Sequence, residues 1–350
     1  TKRAQALHGF STGDWKFIWG RCRWDCYRLY SFPTIGGARE GKRPTPNPTS
    51  HDYVHYFWLS REDYTPKKTL FKRIKMKVMR SNAKQFLEDL ENGVETYRRI
   101  FEPENFKWNN EERPVSRSLS ALQTFRVRQP TPLVFSLLRA YYDGDISLKQ
   151  LKSGLHAVEA FHFQHTAIAS LSSSGGISMM YAAAARELYY ATDPQERAAH
   201  LQAFRQKLRE RIPEDKAFAV QFGEVRFLSS DTKQRPLVRY ILEKVDEQLR
   251  TDKMVDYDKM TIEHLSPENP GAGQQAKGLD AGNIGNLIFV SEGLNGKMKN
   301  KDFPAKKKIL GEAGIPFDKV LKGATNWGSK EIAARAAQLA QLGREKIWKL

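Results

Sequence analysis

The sequence predicts a mainly α fold: a helical bundle that carries a small strand–strand–helix motif near its C-terminus. Three observations support this prediction. Between residues 82 and 250, apolar side chains recur at helical spacing and are separated by short segments with proline, glycine or serine. Two β-prone runs follow, one ending at His264 and one from Leu287 to Val290. A lysine-rich segment with helical character comes directly after the second run.

Length and charge limit the class of protein. The chain has 350 residues, which favours two or three domains. It carries 57 lysines and arginines against 40 aspartates and glutamates, a formal net charge of +17. Such an excess raises the affinity for polyanions such as nucleic acid through counterion release, although a soluble basic surface has the same composition.

Cysteine usage and hydropathy indicate a cytoplasmic protein. Only two cysteines are present, Cys22 and Cys26, and two thiols provide neither a zinc site nor a disulfide framework. No apolar run approaches the ~20 residues that span a bilayer, and no signal peptide is visible, so no membrane association is expected. The chain opens at Thr1 without a methionine, so we expect a fragment of a longer protein.

The N-terminal part is predicted to contain three helices. Residues 15–30 have aromatic side chains at helical spacing, and a second helix begins at Thr49 or Ser50, either of which can cap it. Residues 67–80 form a basic amphipathic helix. This helix can contact phosphates or a lipid surface, or it can form a solvated outer face.

The helical scaffold is predicted from the same periodicity, with a last helix at the C-terminus. Its segments are residues 86–101, 132–142, 147–170, 179–190, 194–212, 236–249 and 329–348. Pro103 and Pro114 bound a predicted loop. The histidines of the third segment, His156, His162 and His165, are interpreted as packing or capping residues because no acidic partner accompanies them.

The candidate chemistry lies between Met260 and Asn295. Cleaving a phosphodiester requires an activated water, charge compensation on the non-bridging oxygens and stabilisation of the leaving oxygen. His264 can act as the general base because histidine titrates near working pH. Consecutive strand residues point to opposite faces, so Glu263 and His264 can approach one phosphate only if the strand ends there. Pro267 just beyond is consistent with that ending.

Oxygen donors near His264 predict a metal site. Glu263 offers a carboxylate and Asn295 an amide oxygen, which together with water and phosphate suit Mg²⁺ or Mn²⁺ rather than zinc. Asn286 is expected to hydrogen-bond loop backbone and brace the strand that carries His264. The lysines after Asn295 are expected to hold the flanking phosphates: Lys297, Lys299, Lys301, Lys306 and Lys307.

Four short motifs carry a family resemblance. They are Glu263-His264-x-x-Pro267, Ile284-Gly-Asn-Leu287, Leu294-Asn295, and Asn300-Lys-x-Phe303 with Lys306-Lys307. Together they resemble the HNH-type nuclease signature of the C-terminal domain of GmrSD-like modification-dependent restriction proteins. The core is also similar to the HNH domain of RNA-guided Cas nucleases. The resemblance is fullest over residues 250–327.

The resemblance implies a catalytic set and a ββα-metal fold. Carried over, His264 is the general base, Glu263 and Asn295 are ligands of one Mg²⁺ or Mn²⁺ ion, and Asn286 is the structural member of the set. Two positions depart from the family. Ser266 stands where an aliphatic residue is more usual, and Asn295 stands where many HNH enzymes carry histidine.

The resemblance also implies an organisation in three parts. Residues 1–80 resemble the helical tail of a truncated ParB-like N-terminal domain, residues 81–250 form an α-helical scaffold, and residues 251–350 hold the HNH-type motif and closing helices. The implied function is a metal-dependent DNA endonuclease of a bacterial restriction and phage-defence system, which nicks DNA or cuts both strands. The implied partners are DNA, including modified or phage DNA, and the ParB-like nucleotide-hydrolysing domain of the full-length protein. Dimerisation stays open.

A second interpretation belongs to another functional class. His264 is then a buried, hydrogen-bonded histidine and the two asparagines form turns. The protein would be a catalytically inactive nucleic-acid-binding or partner-docking helical module, whose basic segments at residues 67–80 and 297–308 contact phosphate without chemistry. Metal-dependent nicking of DNA separates the two interpretations.

Overall fold

The computed structural model describes residues 49–171, 175–251, 255–268 and 280–350 of the chain. The predicted helix at residues 15–30, both cysteines (Cys22 and Cys26) and most of the glycine-rich loop after Pro267 lie outside the described residues. Within the described residues the protein is mainly helical, with fourteen α-helices and one two-stranded antiparallel sheet. The predicted fold class is confirmed at this level.

The helices of the first half follow one another along the chain with short connections. They are α1 (Ser50–Leu59), α2 (Lys67–Lys77), α3 (Ala83–Phe101), α4 (Arg113–Thr124), α5 (Thr131–Tyr142), α6 (Leu148–His162), α7 (Gly175–Tyr190) and α8 (Pro194–Arg209). The start of α1 is set by a capping box on Thr49, one of the two residues predicted to cap this helix. The Thr49 hydroxyl accepts a hydrogen bond from the Asp52 N–H at 3.2 Å, and the Asp52 carboxylate accepts one from the Thr49 N–H at 2.8 Å.

The second half contains the sheet. Its elements are α9 (Asp215–Gly223), α10 (Arg235–Leu249), β1 (Met260–His264), β2 (Leu287–Ser291), α11 (Glu292–Met298), α12 (Phe303–Glu312), α13 (Lys319–Gly323) and α14 (Ser329–Leu342). Short 3₁₀ turns precede the two strands, at Tyr257–Lys259 and Ile284–Asn286. The π-helical turns Phe163–Ile168 and Gly343–Ile347 continue α6 and α14.

The structure differs from the predicted elements in several places. The predicted loop between Pro103 and Pro114 contains the start of α4, because Pro114 lies in the first turn of that helix, where its missing N–H costs no hydrogen bond. The helix α9 was not predicted. The segments predicted as single helices at residues 147–170 and 329–348 change from α to π geometry at Phe163 and Gly343.

The chain divides into two compact units. Among the described residues, unit 1 comprises 49–155 and 175–206, and unit 2 comprises 156–171 and 207–350 with the gaps given above. In unit 1, helix α5 is buried along most of its length and packs against α1, α3 and α7. The predicted three-part division at residues 80 and 250 stays a prediction.

The core of unit 2 surrounds the sheet. Its buried apolar cluster contains Leu265, Ile288, Val290, Met298, Phe303, Leu310, Leu321, Trp327 and Ile332. These side chains come from β2, the turn after β1, helices α11 to α14 and, for Trp327, the segment between α13 and α14, so the sheet is the centre on which the short C-terminal helices pack. The Phe303 and Trp327 rings stack with centroids 4.7 Å apart.

Helix α14 is fastened to the start of β2 by a buried guanidinium. Arg335 donates through Nη1 to the carbonyl oxygens of Gly285 and Leu287, at 2.9 and 2.8 Å. Its Nε lies 2.6 Å from Oδ2 of Asp318, whose other oxygen accepts from the Leu321 N–H and caps α13. One side chain therefore joins β2, α13 and α14 without leaving a buried charge unpaired.

Gly285 is required where α14 crosses the turn before β2. A Cβ at this position would press into the Ile332 carbonyl oxygen and lie 2.9 Å from the Ala336 nitrogen. Both atoms belong to the backbone of α14, which cannot yield as a flexible side chain can. The glycine of the predicted Ile284-Gly-Asn-Leu287 motif thus permits close packing of helix and turn.

Two histidines of the predicted helix at residues 147–170, His162 and His165, are packed as the sequence analysis expected. His162 is fully buried, and its Nδ1 lies 3.1 Å from the Thr166 hydroxyl oxygen. Burial, together with the neighbouring His165, lowers the pKa of His162 to about 3. Burial also lowers the pKa of His165, whose ring stacks on Phe161 with centroids 4.9 Å apart. His162 is therefore a neutral core residue at physiological pH.

Across the described part of the chain, no helix combines the length and apolarity that crossing a membrane requires.

Candidate active site

The candidate site is built on the two-stranded sheet of unit 2. β1 and β2 pair antiparallel, with Glu263 opposite Ile288 and His264 opposite Leu287. The strands are rich in β-branched and aromatic side chains, which favour the extended backbone. Helix α11 follows β2 directly and packs against both strands. Strand, strand and helix therefore adjoin in the predicted order.

His264 is the last residue of β1, and two acceptors hold one nitrogen of its ring. Nε2 lies 3.1 Å from the Phe227 carbonyl oxygen and 3.1 Å from Oε1 of Glu268. The imidazole also lies nearly parallel to the Phe227 ring, with centroids 5.9 Å apart. A carbonyl oxygen only accepts, so the neutral imidazole carries its hydrogen on Nε2. Nδ1 then keeps a lone pair, and no described residue donates a hydrogen bond to it.

Glu268 is a candidate functional residue that the sequence analysis missed. Its Oε1 accepts a hydrogen bond from the Ser229 N–H at 2.7 Å, and its Oε2 accepts one from the Ser229 hydroxyl. These bonds fix the carboxylate beside His264. An acid directly after Pro267, four residues beyond the histidine, is the signal that could have revealed it. The pairing with Ser229 joins residues 39 apart and leaves no local pattern.

Asn286 is fully buried, and both ends of its amide are engaged. Oδ1 accepts from the Ser266 N–H at 2.8 Å and from Trp327 Nε1 at 2.9 Å. Nδ2 donates to the carbonyl oxygens of Ser266 and Ala281, at 2.8 and 2.7 Å. The amide ties the chain just beyond His264 to the segment before β2. This is the geometry that a bracing role requires, and it leaves no side-chain polar atom to touch a substrate.

Glu263 points away from His264, as alternation along a strand requires. Its Oε1 lies 2.6 Å from the Lys306 ammonium, and both side chains are buried. The same ammonium donates to the His264 backbone carbonyl oxygen at 2.5 Å. The structure thus brings Glu263 to Lys306 and His264 to Glu268. It does not bring Glu263 and His264 together around one ion.

Asn295 lies within α11 rather than at its start. The helix begins at Glu292 and is capped by the Ser291 hydroxyl, which accepts from the Leu294 N–H at 3.3 Å. Asn295 Nδ2 donates to the Thr261 hydroxyl at 3.1 Å. The amide therefore lies one turn inside the helix, and its side chain reaches β1.

The donor chemistry on one face of β1 suits a hard divalent cation, but the carboxylate already has a cationic partner. Thr261 and Glu263 share a face of the strand, so the Asn295 amide that reaches Thr261 lies on the same side as the carboxylate. The described residues contain no group of three or more histidine, cysteine, aspartate or glutamate side chains placed to hold a metal. Mg²⁺ or Mn²⁺ fits these donors only if the Lys306 ammonium withdraws from Glu263.

The five lysines predicted to hold phosphates fall into two groups. Lys297, Lys299 and Lys301 are exposed. Lys306 is buried against Glu263, and Lys307 donates to the carbonyl oxygens of Lys322 and Ala324 at 2.8 and 2.6 Å, at the end of α13. The Lys306 ammonium is thus buried, and that of the half-buried Lys307 is held by two carbonyl oxygens. These positions differ from the fully exposed ones that were predicted for lysines that contact phosphate.

Residues 212–342 match a family model described as "GmrSD restriction endonucleases, C-terminal domain". The matched range covers less than half of the chain and contains both strands, α11 and every candidate site residue named above. No curated protein matches the chain significantly. The match confirms the family resemblance drawn from the motifs between Glu263 and Lys307. The ParB-like resemblance of the N-terminal part lies outside the match and stays a prediction. The chain therefore carries a GmrSD-like C-terminal region over residues 212–342.

Proposed function

We propose that the C-terminal region of this chain is a DNA endonuclease of the HNH type, with His264 as the general base. The family match supports a nuclease of a restriction system, and DNA is the substrate that such a role implies. The succession of β1, β2 and α11, with a histidine at the end of β1, supports the finer HNH assignment. The proposal concerns residues 212–342 and the site on their sheet.

The observation that carries the proposal is the arrangement around the imidazole. The Phe227 carbonyl and Glu268 hold Nε2–H, so the Nδ1 lone pair of His264 is free to take a proton from water. The proton makes the ring a cation, and the carboxylate of Glu268 stabilises that cation at 3.1 Å. The side chain is 13% exposed, which keeps it in reach of solvent and substrate.

Other residues would position the reacting groups. Asn286 fixes the backbone beside His264, and Glu268 fixes the ring. The exposed lysines Lys297, Lys299 and Lys301 would hold the flanking phosphates of the DNA backbone. If the Lys306 ammonium withdrew and the Glu263 carboxylate turned toward the His264 side of the strand, Glu263 and Asn295 would hold one Mg²⁺ or Mn²⁺ ion, which would supply charge compensation on the phosphate and the leaving oxygen.

The biological setting follows from the family. A restriction role implies that the substrate is foreign DNA, including modified or phage DNA, and that the protein works in the cytoplasm. The full-length protein would then join this region to a ParB-like nucleotide-hydrolysing domain. Cutting both strands at once needs two such sites, and a dimer would supply them.

Plasmid nicking tests the proposal. The parent protein should nick supercoiled DNA with Mg²⁺ or Mn²⁺ and not with EDTA. His264→Ala should lower the rate by about 10²- to 10⁴-fold, the range for loss of a general base. His51→Ala, which removes an exposed histidine from unit 1, serves as the matched control. Equal rates for His264→Ala and the parent would overturn the assignment.

The buried Lys306–Glu263 pair favours a second function, in which the nuclease fold is catalytically inactive. A carboxylate neutralised by an internal ammonium has less need of a metal ion, and the region would then bind nucleic acid or dock a partner without chemistry. Salt-sensitive DNA binding by a parent protein that nicks with neither metal would support this second function and exclude the first.

A further inference from the structure

Positive charge is concentrated in one segment of unit 1, outside the family match. Residues 64–87 contain eight lysines and arginines and no aspartate or glutamate, against a net charge of +17 for the whole chain. Helix α2 (Lys67–Lys77) forms the middle of this segment. A surface of this kind attracts polyanions regardless of their sequence.

Most of these cations are not neutralised by the part of the chain that the structure describes. Lys67 pairs with Asp52, Lys77 pairs with Glu62, and Lys84 lies 3.6 Å from Glu88. The remaining five, Lys68, Lys72, Arg73, Lys75 and Arg80, form no ion pair with any described residue. Their charge is therefore available to an external partner.

The helical geometry gathers three of these lysines into one row. With about 100° per residue, Lys72 lies about 40° to one side of Lys68 and Lys75 about 20° to the other. The row extends roughly 10 Å along the helix axis, which matches about three successive phosphates on one DNA strand. Leu70 and Ile74 are buried on the opposite side of the helix, so the row faces outward.

Exposed apolar side chains flank the row. Tyr64, Phe71, Met76 and Met79 are 40%, 45%, 55% and 53% exposed. They are four of the nine large hydrophobic side chains that are exposed among the described residues. Aromatic residues and methionine beside cations are typical of binding surfaces rather than of inert solvated faces.

We infer that α2 is a DNA-docking surface, in which Lys68, Lys72 and Lys75 contact the phosphates of one strand of a duplex. A membrane surface fits less well, because a helix that lies on lipid buries its apolar face there, and the apolar face of α2 is buried inside unit 1. The inference goes beyond the proposed nuclease site, since it assigns sequence-independent binding to a part of the chain that the family match does not cover.

Binding of the full chain to a mixed-sequence DNA duplex, measured by fluorescence anisotropy over a NaCl series in EDTA, tests the inference. The parent should show a steep fall of log Kobs with log salt. In K68Q/K72Q/K75Q this slope should shrink by about 2 to 3, because each phosphate contact contributes about 0.9. K68R/K72R/K75R should keep the parent slope. K107Q/K149Q/K152Q is the control, since it removes the same charge from other elements of unit 1.

An unchanged slope in K68Q/K72Q/K75Q, or an equal loss in the control, would overturn the inference. So would a triple variant that loses binding to vesicles of phosphatidylserine and phosphatidylcholine but keeps its DNA binding, because the surface would then serve lipid. The assay contains no divalent metal and no cleavage step. Its failure therefore leaves the nuclease proposal intact, and failure of the nicking assay leaves this inference intact.

Discussion

The Lys306 ammonium lies 2.6 Å from the Glu263 carboxylate and 2.5 Å from the His264 carbonyl oxygen. It binds the last two residues of β1 to helix α12 through one buried group. The position of an internal cation at the carboxylate predicted to hold a metal is the main difference between the expected and the observed site. Variants of this pair therefore distinguish an effect on stability from an effect on catalysis.

Lys306→Met should destabilise unit 2 by about 3 to 5 kcal/mol, because it leaves the buried Glu263 carboxylate without a partner. Adding Glu263→Gln should recover part of this loss, since the uncompensated charge is then gone. Urea unfolding followed by tryptophan fluorescence measures both. Lys308→Met, an exposed lysine on the same helix, should change stability by less than about 0.5 kcal/mol. An effect of Lys306→Met no larger than this control would contradict the importance of the pair.

Glu268→Gln should lower the kcat of DNA nicking by about 10- to 100-fold with little change in KM, because Glu268 acts by orienting His264. Glu268→Ala should lower kcat further, since it removes both oxygens of the carboxylate and leaves only the Phe227 carbonyl oxygen at the ring. The ¹⁵N NMR shifts of the His264 ring should report hydrogen on Nε2 in the parent and a mixture of tautomers in Glu268→Ala. Glu292→Gln, an exposed acid in the first turn of α11, is the matched control. A parent ring with its hydrogen on Nδ1 would refute this role.

Gly285→Ala should lower the free energy of unfolding by about 1 to 3 kcal/mol, because the added methyl group meets the backbone of α14. Gly293→Ala provides the opposite case. Gly293 is exposed within α11 and has open space around it, so alanine there should raise stability by about 0.5 to 1 kcal/mol. Thermal unfolding of both variants checks the contrast. A similar shift in the same direction for both would show that α14 does not pack as closely as described.

Stability should fall on acidification through His162. Its folded pKa of about 3 lies below the ordinary value of about 6.5, so between these values the unfolded chain binds a proton that the folded chain does not. The contribution of neutral His162 to the free energy of unfolding should therefore be fully present above pH ~6.5. At pH ~5 the free energy of unfolding should be lower by about 2 kcal/mol. His162→Gln should remove about 2 kcal/mol of this dependence and leave the part that the lowered pKa of His165 supplies, whereas His51→Gln, at an exposed position, should keep all of it. Urea titrations at the two pH values decide; identical pH dependence in the parent and His162→Gln would exclude His162 as the source.

The sequence predicts those elements whose signals are local. Thr49 could be expected to cap α1 because a helix cap acts on residues only a few positions along the chain, here Asp52. The strands around Ile262 and Phe289 follow from their β-branched and aromatic runs. Helix α4 was not predicted, because a proline such as Pro114 can either bound a loop or occupy the first turn of a helix.

The parts of the site that the sequence missed depend on contacts between distant residues. Asn286 could be expected to brace backbone, but its bond to Trp327 joins residues 41 apart. Lys306 was predicted to face phosphate because it stands in a lysine run, and nothing in that run distinguishes the buried position from its exposed neighbours. Only the fold, which brings α12 against β1, makes Glu263 its partner.

The buried guanidinium of Arg335 limits how much of the C-terminal end can be removed from this nuclease-like region. Because it holds the Gly285 and Leu287 carbonyls, a truncation that stops after the last predicted motif would remove an anchor of the hairpin itself. A fragment of residues 250–327 is thus not expected to hold the two-stranded sheet and His264 in place by itself. Any transplant or minimal version must extend through α14 to preserve the register on which the imidazole depends.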